Sequence, residues 1–328
     1  MSLQIIKAGV LDTVQDLGRF GSQHLGINPT GAMDRYSAQL ANALLGNGPG
    51  APVIELHFPS TQFLFKKEAV IALCGADFQA TINGSELPMD HPVIVGRNAL
   101  LTFKKLRRGA RCYIAMLNEL LVEKWLGSYS TNLKTHSGGN RGRAFAASDE
   151  LFFQELSMLA PILEGKDFMV LPWKANETVG ASNEVQFIIG SEWYELTKEA
   201  QETFQSHWFQ VTNDADRMGF RLAGQKLEVK EDEPLVSSAV SFGTVQLLPN
   251  GQLIVLMADH QTTGGYPRIA HVISAHLCIL AQKKPADVLQ FRMTDLSTAE
   301  EKMVQQQKYL EDIQNACKFR MQSLFSRN

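Results

Sequence analysis

The sequence predicts a mainly β protein with a few helices, of the β-barrel type, in which one β-rich unit occurs twice and a C-terminal helix follows. Three observations support this class. A shift of 182 residues, which places residue 4 on residue 186, brings separate segments into register. Gly, Pro, Asn and Asp divide much of the chain into short apolar runs, as in antiparallel sheets and barrels. Helical periodicity is restricted to a few stretches.

The internal repeat rests on three matches that keep the same offset without a gap. They pair residues 4–6 with 186–188, Asp34-Arg35 with Asp216-Arg217, and residues 76–81 with 258–263. Both members of the third pair follow an apolar run that is typical of a buried strand. Residues 105–180 have no counterpart, so the first copy carries an insertion or the two copies interlace. We predict domains at residues 1–180 and 181–295 and a separate segment at 296–328.

Helices are predicted at four places. One helix-like stretch, residues 34–45, and a second one that begins at Asp216 both start with the repeated Asp-Arg pair, and residues 197–207 and 269–282 also have helical patterns. The last segment opens with the capping-box spacing Thr298-Ala299-Glu300-Glu301, and apolar residues then recur at helical intervals. This pattern predicts one amphipathic helix. Docking on its own domain is favoured over partner binding, because most amphipathic stripes are ordinary core faces.

Composition excludes several classes of protein. The chain has 31 basic and 34 acidic residues, a net charge of -3, and no concentrated basic stretch, which argues against a nucleic-acid surface. Its apolar runs are far shorter than the roughly 20 residues that span a bilayer, and it lacks a secretory signal pattern. The four cysteines have no C-x-x-C spacing and are expected to be reduced, packed thiols. These features predict a cytoplasmic protein without membrane or nucleic-acid partners.

Residues 258–267, ADHQTTGGYP, form the most unusual segment. It places a carboxylate, an imidazole, a carboxamide and two hydroxyls at the end of an apolar strand. The Gly-Gly pair that follows lets backbone N–H groups approach an anion or a developing oxyanion. Two questions remain open. The segment is either such a binding corner or a polar turn whose side chains cap the backbone. His260 is either an acid–base group or a histidine that bonds a backbone carbonyl.

A second polar cluster, at residues 14–35, has many glycines ahead of a predicted helix. Exposed amides and a positive helix end suit carboxylate or phosphate binding. The cluster lacks the spacing of a P-loop or of a dinucleotide fingerprint. Asp34 and Asp216 each precede an arginine, which favours helix caps and structural ion pairs. No metal-ligand spacing and no G-x-S-x-G motif occurs, so neither a metal site nor a self-contained hydrolase is predicted.

Three segments carry a resemblance to a known family. Residues 14–56, 213–224 and 258–275 resemble the family that contains the C subunit of 5-oxoprolinase, the second subunit of allophanate hydrolase and the carboxyltransferase domain of urea carboxylase. The likeness extends over most of residues 1–293. It implies two cyclophilin-like β domains and a three-component enzyme that opens 5-oxo-L-proline to L-glutamate with ATP. The family usually has an arginine where this chain has Tyr129.

The resemblance also suggests a site. Lactam opening requires activation of the carbonyl oxygen, and the sequence shows no ATP or biotinyl-lysine motif. ATP is therefore expected to be bound by or shared with the partner subunits A and B of 5-oxoprolinase, of which the B component has a related fold. The candidate catalytic residues are Asp259, His260 and Gln261. The candidate substrate-binding residues are Thr262, Thr263, Gly264, Gly265, Tyr266, Arg19, His24, Asp34 and Arg35.

Two other functions are held by relatives in the family and stay open. One is the carboxyltransferase component of a biotin-dependent urea or amide carboxylase, which requires a carboxylated carrier. The other is a regulatory binding protein that antagonises an inhibitor of a sensor kinase. A reconstituted assay with the partner proteins distinguishes them from 5-oxoprolinase.

Overall fold

A computed structural model describes residues 2–156, 159–176, 182–230 and 235–326. These residues pack into two compact units. The first unit draws on Met1–Gly18, Asp34–Val179 and Gln307–Asn328, and the second on Arg19–Met33 and Gly180–Gln306. The main division lies near residue 180, but the glycine-rich loop from the first half of the sequence belongs to the second unit.

The first unit consists of two six-stranded antiparallel sheets and short helices. Its elements are β1 (Ser2–Lys7), β2 (Thr13–Gln15), α1 (Arg35–Leu45), β3 (Val53–Leu56), β4 (Gln62–Phe65), β5 (Ala69–Asp77), β6 (Ala80–Ile82), β7 (Ser85–Glu86), β8 (Pro92–Val95), β9 (Leu100–Phe103), β10 (Arg108–Met116), β11 (Glu150–Phe152), α2 (Leu159–Leu163) and β12 (Phe168–Val170). One sheet has the order β11-β1-β4-β9-β6-β7 and the other β12-β8-β5-β10-β3-β2. Apolar side chains from both sheets form one hydrophobic core, to which Ile5, Phe63, Leu73 and Ile114 contribute.

The second unit is a closed seven-stranded barrel. Its elements are β13 (Glu184–Ile189), α3 (Lys198–Ser206), β14 (Phe209–Val211), β15 (Gly219–Ala223), β16 (Ser238–Ala239), β17 (Thr244–Leu247), β18 (Leu253–Leu256), β19 (Thr263–Gly264), β20 (Arg268–Val272), α4 (Leu277–Ala281) and β21 (Val288–Met293). The barrel order is β13-β20-β17-β18-β15-β14-β21, and β16 and β19 form a separate ribbon. Phe204 stacks on Phe291 with ring centroids 4.5 Å apart, and Phe187 meets Phe204 edge-on. Aromatic packing of this kind fills the barrel core.

The predicted fold class is confirmed, and so are two of the predicted helices. The α1 helix follows Asp34, whose carboxylate accepts a hydrogen bond from the Ser37 amide at 2.9 Å. The α3 helix follows Thr197, whose hydroxyl accepts from the Ala200 amide. Both caps satisfy an amide that the first helical turn leaves unpaired.

Two helix predictions are wrong. Asp216 does not begin a helix, because its carboxylate accepts from the amides of Met218 and Gly219 and forms a tight turn into β15. The predicted helix over residues 269–282 begins instead as strand β20, and only Leu277–Ala281 is α-helical. The apolar residues of this segment fit one strand followed by one short helix as well as they fit a single helix.

The C-terminal helix, α5 (Leu296–Ser326), is capped by Asp295 rather than by the predicted Thr298, since the Thr298 amide donates to the Asp295 carboxylate at 2.7 Å. Its Gln314 side chain donates to the carbonyl of Asn47 at 2.6 Å. Gly46 makes this approach possible, because a Cβ there would lie 2.6 Å from the Cα of Lys318. The later part of α5 therefore packs on the first unit. No helix among the described residues has the length and apolar character needed to cross a membrane.

All four cysteines are buried free thiols. Burial raises the pKa of Cys74 and Cys112 well above the usual thiol value, and it raises the pKa of Cys317 to about 11. These thiols remain protonated and pack as small apolar side chains, as the sequence predicts.

Candidate functional site

The ADHQTTGGYP segment follows β18 in the second unit, and hydrogen bonds fix its backbone. The amide of Asp259 donates to the carbonyl of Arg217 at 2.7 Å. Farther along, the Val240 amide donates to the Thr262 carbonyl, and β19 pairs with β16. The segment is therefore an ordered part of the barrel rim and not a free polar loop.

A buried ion pair holds the first acid of the segment. Arg217 donates to both carboxylate oxygens of Asp259, from Nε at 2.9 Å and from Nη2 at 3.1 Å. The same Nη2 donates to the carbonyl of Gly31 at 2.6 Å. Asp259 and Arg217 are only 7% and 6% exposed. A bidentate pair fixes both side chains, so the geometry gives Asp259 a positioning role.

The glycine-rich loop from the first half of the sequence closes on this segment. Asn28 donates from Nδ2 to the carbonyls of Asp259 and His260, both at 2.9 Å. Arg19, a predicted binding residue, is buried and donates to the hydroxyl of Thr30 at 2.8 Å. His24, the other predicted residue of the loop, is exposed in a single helical turn at Gln23–Leu25. Arg19 therefore shapes the loop that Asn28 joins to the site.

The His260 ring is buried and has a defined orientation. Its Nδ1 lies 2.6 Å from the carbonyl oxygen of Gln261. A carbonyl oxygen only accepts hydrogen bonds, so Nδ1 carries the proton, and in the neutral ring the lone pair is on Nε2. The sequence left open whether this histidine bonds a backbone carbonyl or serves as a base. The structure shows the bond to a backbone carbonyl, and this bond also leaves the lone pair on Nε2, which a base requires.

Two predicted residues, Gln261 and Tyr266, line a cavity of about 480 Å³ in the second unit. Its wall also includes Arg221, whose side chain is exposed, and Gln246, which is fully buried. Tyr266 borders a neighbouring cavity of the same size, together with Gly265. The first cavity has an amide, a cation and a phenol in its wall, and its volume suits a small polar molecule.

The Gly-Gly pair has a different role from the predicted anion-binding corner. Thr263 and Gly264 form strand β19, and neither Gly264 nor Gly265 has a positive φ. Gly264 is needed for space, because a Cβ there would lie 2.7 Å from Nε2 of Gln246. Gly264 therefore makes room for a neighbouring amide side chain, and nothing in the sequence pattern distinguishes this from a glycine turn.

Asp34 and Arg35 belong to the first unit and are not in the body that holds Asp259. The Asp34 carboxylate is fully buried and accepts hydrogen bonds from the amide and the hydroxyl of Ser37. It therefore serves as the cap of α1, which is the structural interpretation that the sequence favoured.

Another motif of the first unit also has a structural role. The carboxylate of Asp16 accepts hydrogen bonds from the hydroxyls of Ser128 and Ser130, at 2.6 and 2.5 Å, and from the amides of Tyr129 and Gly18. This network ties the end of β2 to the segment around residue 129. The acid and the two serines therefore serve to hold these two segments of the first unit together.

Sequence reasoning missed three residues that build the site: Asn28, Arg217 and Gln246. Arg217 was visible as the repeat partner of Arg35, and the Asp-Arg pair favoured a helix cap and a structural ion pair. Arg217 does form an ion pair, but its partner Asp259 could not be named from the sequence. Asn28 lies more than 200 residues from the groups that it binds, so no local pattern could place it there. Among the described residues, no group of three or more His, Cys, Asp or Glu side chains could hold a metal ion.

A family model and several known proteins match this chain. The family model of the carboxyltransferase domain, subdomain A and B, matches residues 25–293. The chain is 34% identical to the C subunit of 5-oxoprolinase from Escherichia coli K12, over 95% of its own length and 97% of that protein. It is 31% identical to the C subunit of 5-oxoprolinase from Haemophilus influenzae, over 92% and 94% of the two chains. These relatives are named as parts of an enzyme.

A solved structure supports the same grouping. The urea amidolyase of K. lactis superposes with a TM-score of 0.86 at 26% identity, over 95% of this chain. The match spans only 20% of the larger protein. The resemblance seen in the sequence is thus confirmed over nearly the whole chain. The protein belongs to the family of carboxyltransferase domains, subdomain A and B.

Proposed function

We propose that the chain is the cytoplasmic C component of an ATP-dependent 5-oxoprolinase, which opens 5-oxo-L-proline to L-glutamate together with subunits A and B. The observation that carries the proposal is the arrangement of the second unit. Fixed Asp259 and His260 lie in one segment with Gln261 and Tyr266, which line a cavity suited to a small amide. Two relatives of nearly the same length, both named as the C subunit of 5-oxoprolinase, support it.

The side chains suit the opening of a lactam. The carboxamide of Gln261 in the cavity wall can donate a hydrogen bond to the lactam carbonyl oxygen. His260 is buried beside Gln261 and does not line this cavity, and its Nε2 is assigned the proton of the attacking water, which it returns to the ring nitrogen as the C–N bond breaks. The ion pair with Arg217 and the two bonds from Asn28 hold the segment that carries both groups. Arg221 supplies a cation for the carboxylate of the substrate, although Asp214 and Asp216 also line the cavity.

ATP does not fit the anion site that the sequence suggested ahead of α1. The buried carboxylate of Asp34 already accepts a hydrogen bond from the Ser37 amide at that helix end, and its charge would repel a phosphate there. We therefore propose that a partner subunit binds ATP, which activates the lactam carbonyl. The residues of this chain bind and orient the substrate and move the proton of the attacking water.

The test is an ATP-coupled assay of 5-oxoproline turnover by the reconstituted subunits. In His260→Asn the new amide group still donates towards the Gln261 carbonyl, while the group at Nε2 is lost. We expect turnover to fall by about 10²- to 10⁴-fold, the usual contribution of a general base. His207→Asn is the matched control, because His207 is exposed and its ring contacts the neighbouring Ser206 hydroxyl, away from the cavity wall. Near-normal turnover by His260→Asn would remove this assignment.

A second function is favoured by the likeness to the urea amidolyase structure and by the family model itself. The chain would then be the carboxyltransferase component of a biotin-dependent urea or amide carboxylase. This activity needs a biotinylated carrier, whereas 5-oxoproline turnover does not. Omitting and adding the carrier, with urea and 5-oxoproline as alternative substrates, separates the two functions.

A further inference from the structure

We infer that Gln246 determines specificity in the cavity by accepting a hydrogen bond from an N–H group of the ligand. The inference rests on the proposed function, because it names the part of 5-oxoproline that the cavity recognises: the lactam nitrogen. Gln246 lies on β17 and is fully buried, yet it belongs to the wall of the cavity that Gln261 and Tyr266 line.

The orientation of the amide follows from its neighbour. Nε2 of Gln246 donates to the carbonyl oxygen of Tyr266 at 3.3 Å. Because that carbonyl can only accept, the nitrogen must face it, and Oε1 must face the other way. Within the described part of the chain, Oε1 is a buried acceptor without a hydrogen-bond partner. Buried acceptors are nearly always paired, so a ligand donor is expected to complete this one.

The neighbouring glycine supports the same conclusion. A side chain at position 264 would place its Cβ 2.7 Å from Nε2 of Gln246. Glycine at this position therefore allows the amide to lie against the segment that carries Gln261. An alanine there would push the amide away from its present position, so Gly264→Ala is a second way to disturb the acceptor without changing Gln246.

The ligand class follows from the single acceptor. A lactam such as 5-oxoproline has one ring N–H, and an amide with a free N–H has the same donor. The lactone of the same shape, 5-oxotetrahydrofuran-2-carboxylate, has a ring oxygen in its place. An oxygen facing Oε1 would leave the acceptor unpaired and repelled, and sites built for a hydrogen bond discriminate strongly against analogues that lack it.

The experiment compares the binding of 5-oxo-L-proline and of the lactone to the reconstituted assembly by equilibrium titration without ATP. The wild-type assembly should bind the lactam about tenfold or more tightly than the lactone. Gln246→Met keeps the length of the side chain and removes the acceptor. It should lower the affinity for the lactam about tenfold and leave that for the lactone unchanged. Gly264→Ala should shift the preference in the same direction.

Gln290→Met is the matched control. Gln290 is another buried glutamine of the barrel, and its Nε2 donates to the carbonyls of Gln205 and Ser206 while its Oε1 accepts from Arg292. Gln290→Met should lower the melting temperature, because paired groups are lost, but should keep the lactam preference. Gln246→Met should lower the melting temperature less, because it also removes an unpaired buried acceptor.

The results separate this inference from the proposed function. Equal affinities for lactam and lactone, no binding of either, or an unchanged preference in Gln246→Met would each overturn the role of Gln246. The proposed function still holds if the assembly turns over 5-oxoproline and depends on His260. Conversely, loss of the preference in Gln246→Met without any turnover supports the acceptor and rejects the proposed reaction.

Discussion

The ends of two strands related by the internal repeat are built differently. After β5 in the first unit, Phe78 is fully buried, and its ring lies 5.6 Å from that of Phe58 and 6.3 Å from that of Phe103. After β18 in the second unit, the equivalent position is His260, which bonds a backbone carbonyl. One strand end completes an apolar core, and the other presents polar groups next to a cavity.

The acids that precede these residues differ in the same way. Asp77 accepts a hydrogen bond from the Gln79 amide and lies 3.7 Å from a partly exposed Arg107. Asp259 is buried and accepts hydrogen bonds from two nitrogens of Arg217, Nε and Nη2. Both copies of the repeat have an acid at this position, but in the second copy a buried ion pair fixes it within the segment that carries the candidate site.

The largest expected effect comes from breaking the buried pair. Arg217→Met leaves the carboxylate of Asp259 buried without its cation, which should lower the free energy of unfolding by about 3 to 5 kcal/mol. Arg107→Met removes an exposed cation and should change stability little. Urea unfolding of both variants measures the contrast. Equal losses in the two variants would mean that the two acids are held alike.

The same argument changes how Asp259 should be tested. Asp259→Ala removes the buried carboxylate that accepts both hydrogen bonds from Arg217, so loss of activity in that variant would be confounded by loss of stability. Asp259→Asn keeps one acceptor for Arg217 and is the more informative substitution.

A reciprocal exchange tests the residues that follow the acids. Phe78→His puts an imidazole into an apolar cluster without a hydrogen-bond partner, which should cost about 2 to 4 kcal/mol of stability. His260→Phe loses the hydrogen bond to the Gln261 carbonyl, worth about 1 kcal/mol, but should lower 5-oxoproline turnover about a hundredfold or more. Thermal unfolding and the coupled assay distinguish the two results. A large loss of stability and normal turnover in His260→Phe would assign this histidine to packing alone.

Much of this contrast could be predicted from the sequence. The repeat offset and the apolar runs before Asp77 and Asp259 predicted two buried strands with an acid after each, and β5 and β18 are both present. The strand predictions succeed because the period of apolar residues is a local property. The exchange of Phe78 for His260 favours the second copy as the one with the polar site, and this stays a prediction.

The remaining contacts depend on the path of the chain. Asn28 precedes the first helix in sequence, yet it packs with the second unit, and only the three-dimensional fold brings its amide to Asp259 and His260. The failure at Asp216 has a local cause. An acid before an arginine caps a helix at Asp34 and closes a turn into a strand at Asp216, and the pair alone does not distinguish the two.

The smallest expected effect concerns the first strands of the two copies. In the first unit Gln4 lies in β1, between β4 and β11. In the second unit the backbone N–H of its counterpart, Gln186, donates to Nδ1 of His276 at 2.9 Å. This bond requires an unprotonated Nδ1, and burial, followed by the charge of Lys302, lowers the pKa of His276. The second copy therefore has a pH-sensitive contact at this position.

The sign of this pH dependence follows from proton linkage. The unfolded ring takes up a proton near pH 6.5, before the folded ring does, so stability is fully present above that pH and declines as the pH falls below it. The slope for one proton is at most about 1.4 kcal/mol per pH unit.

In His276→Asn an amide oxygen replaces the Nδ1 acceptor and does not titrate. Burial also lowers the pKa of His271, which acts in the same direction, and it raises the pKa of Asp12 to about 6, which acts in the opposite direction. The difference between variant and wild type isolates the His276 contribution, because both other groups are present in each protein. Urea unfolding between pH 7 and pH 5 should show a shallower decline for His276→Asn, and identical slopes would show that the ring does not titrate differently on folding.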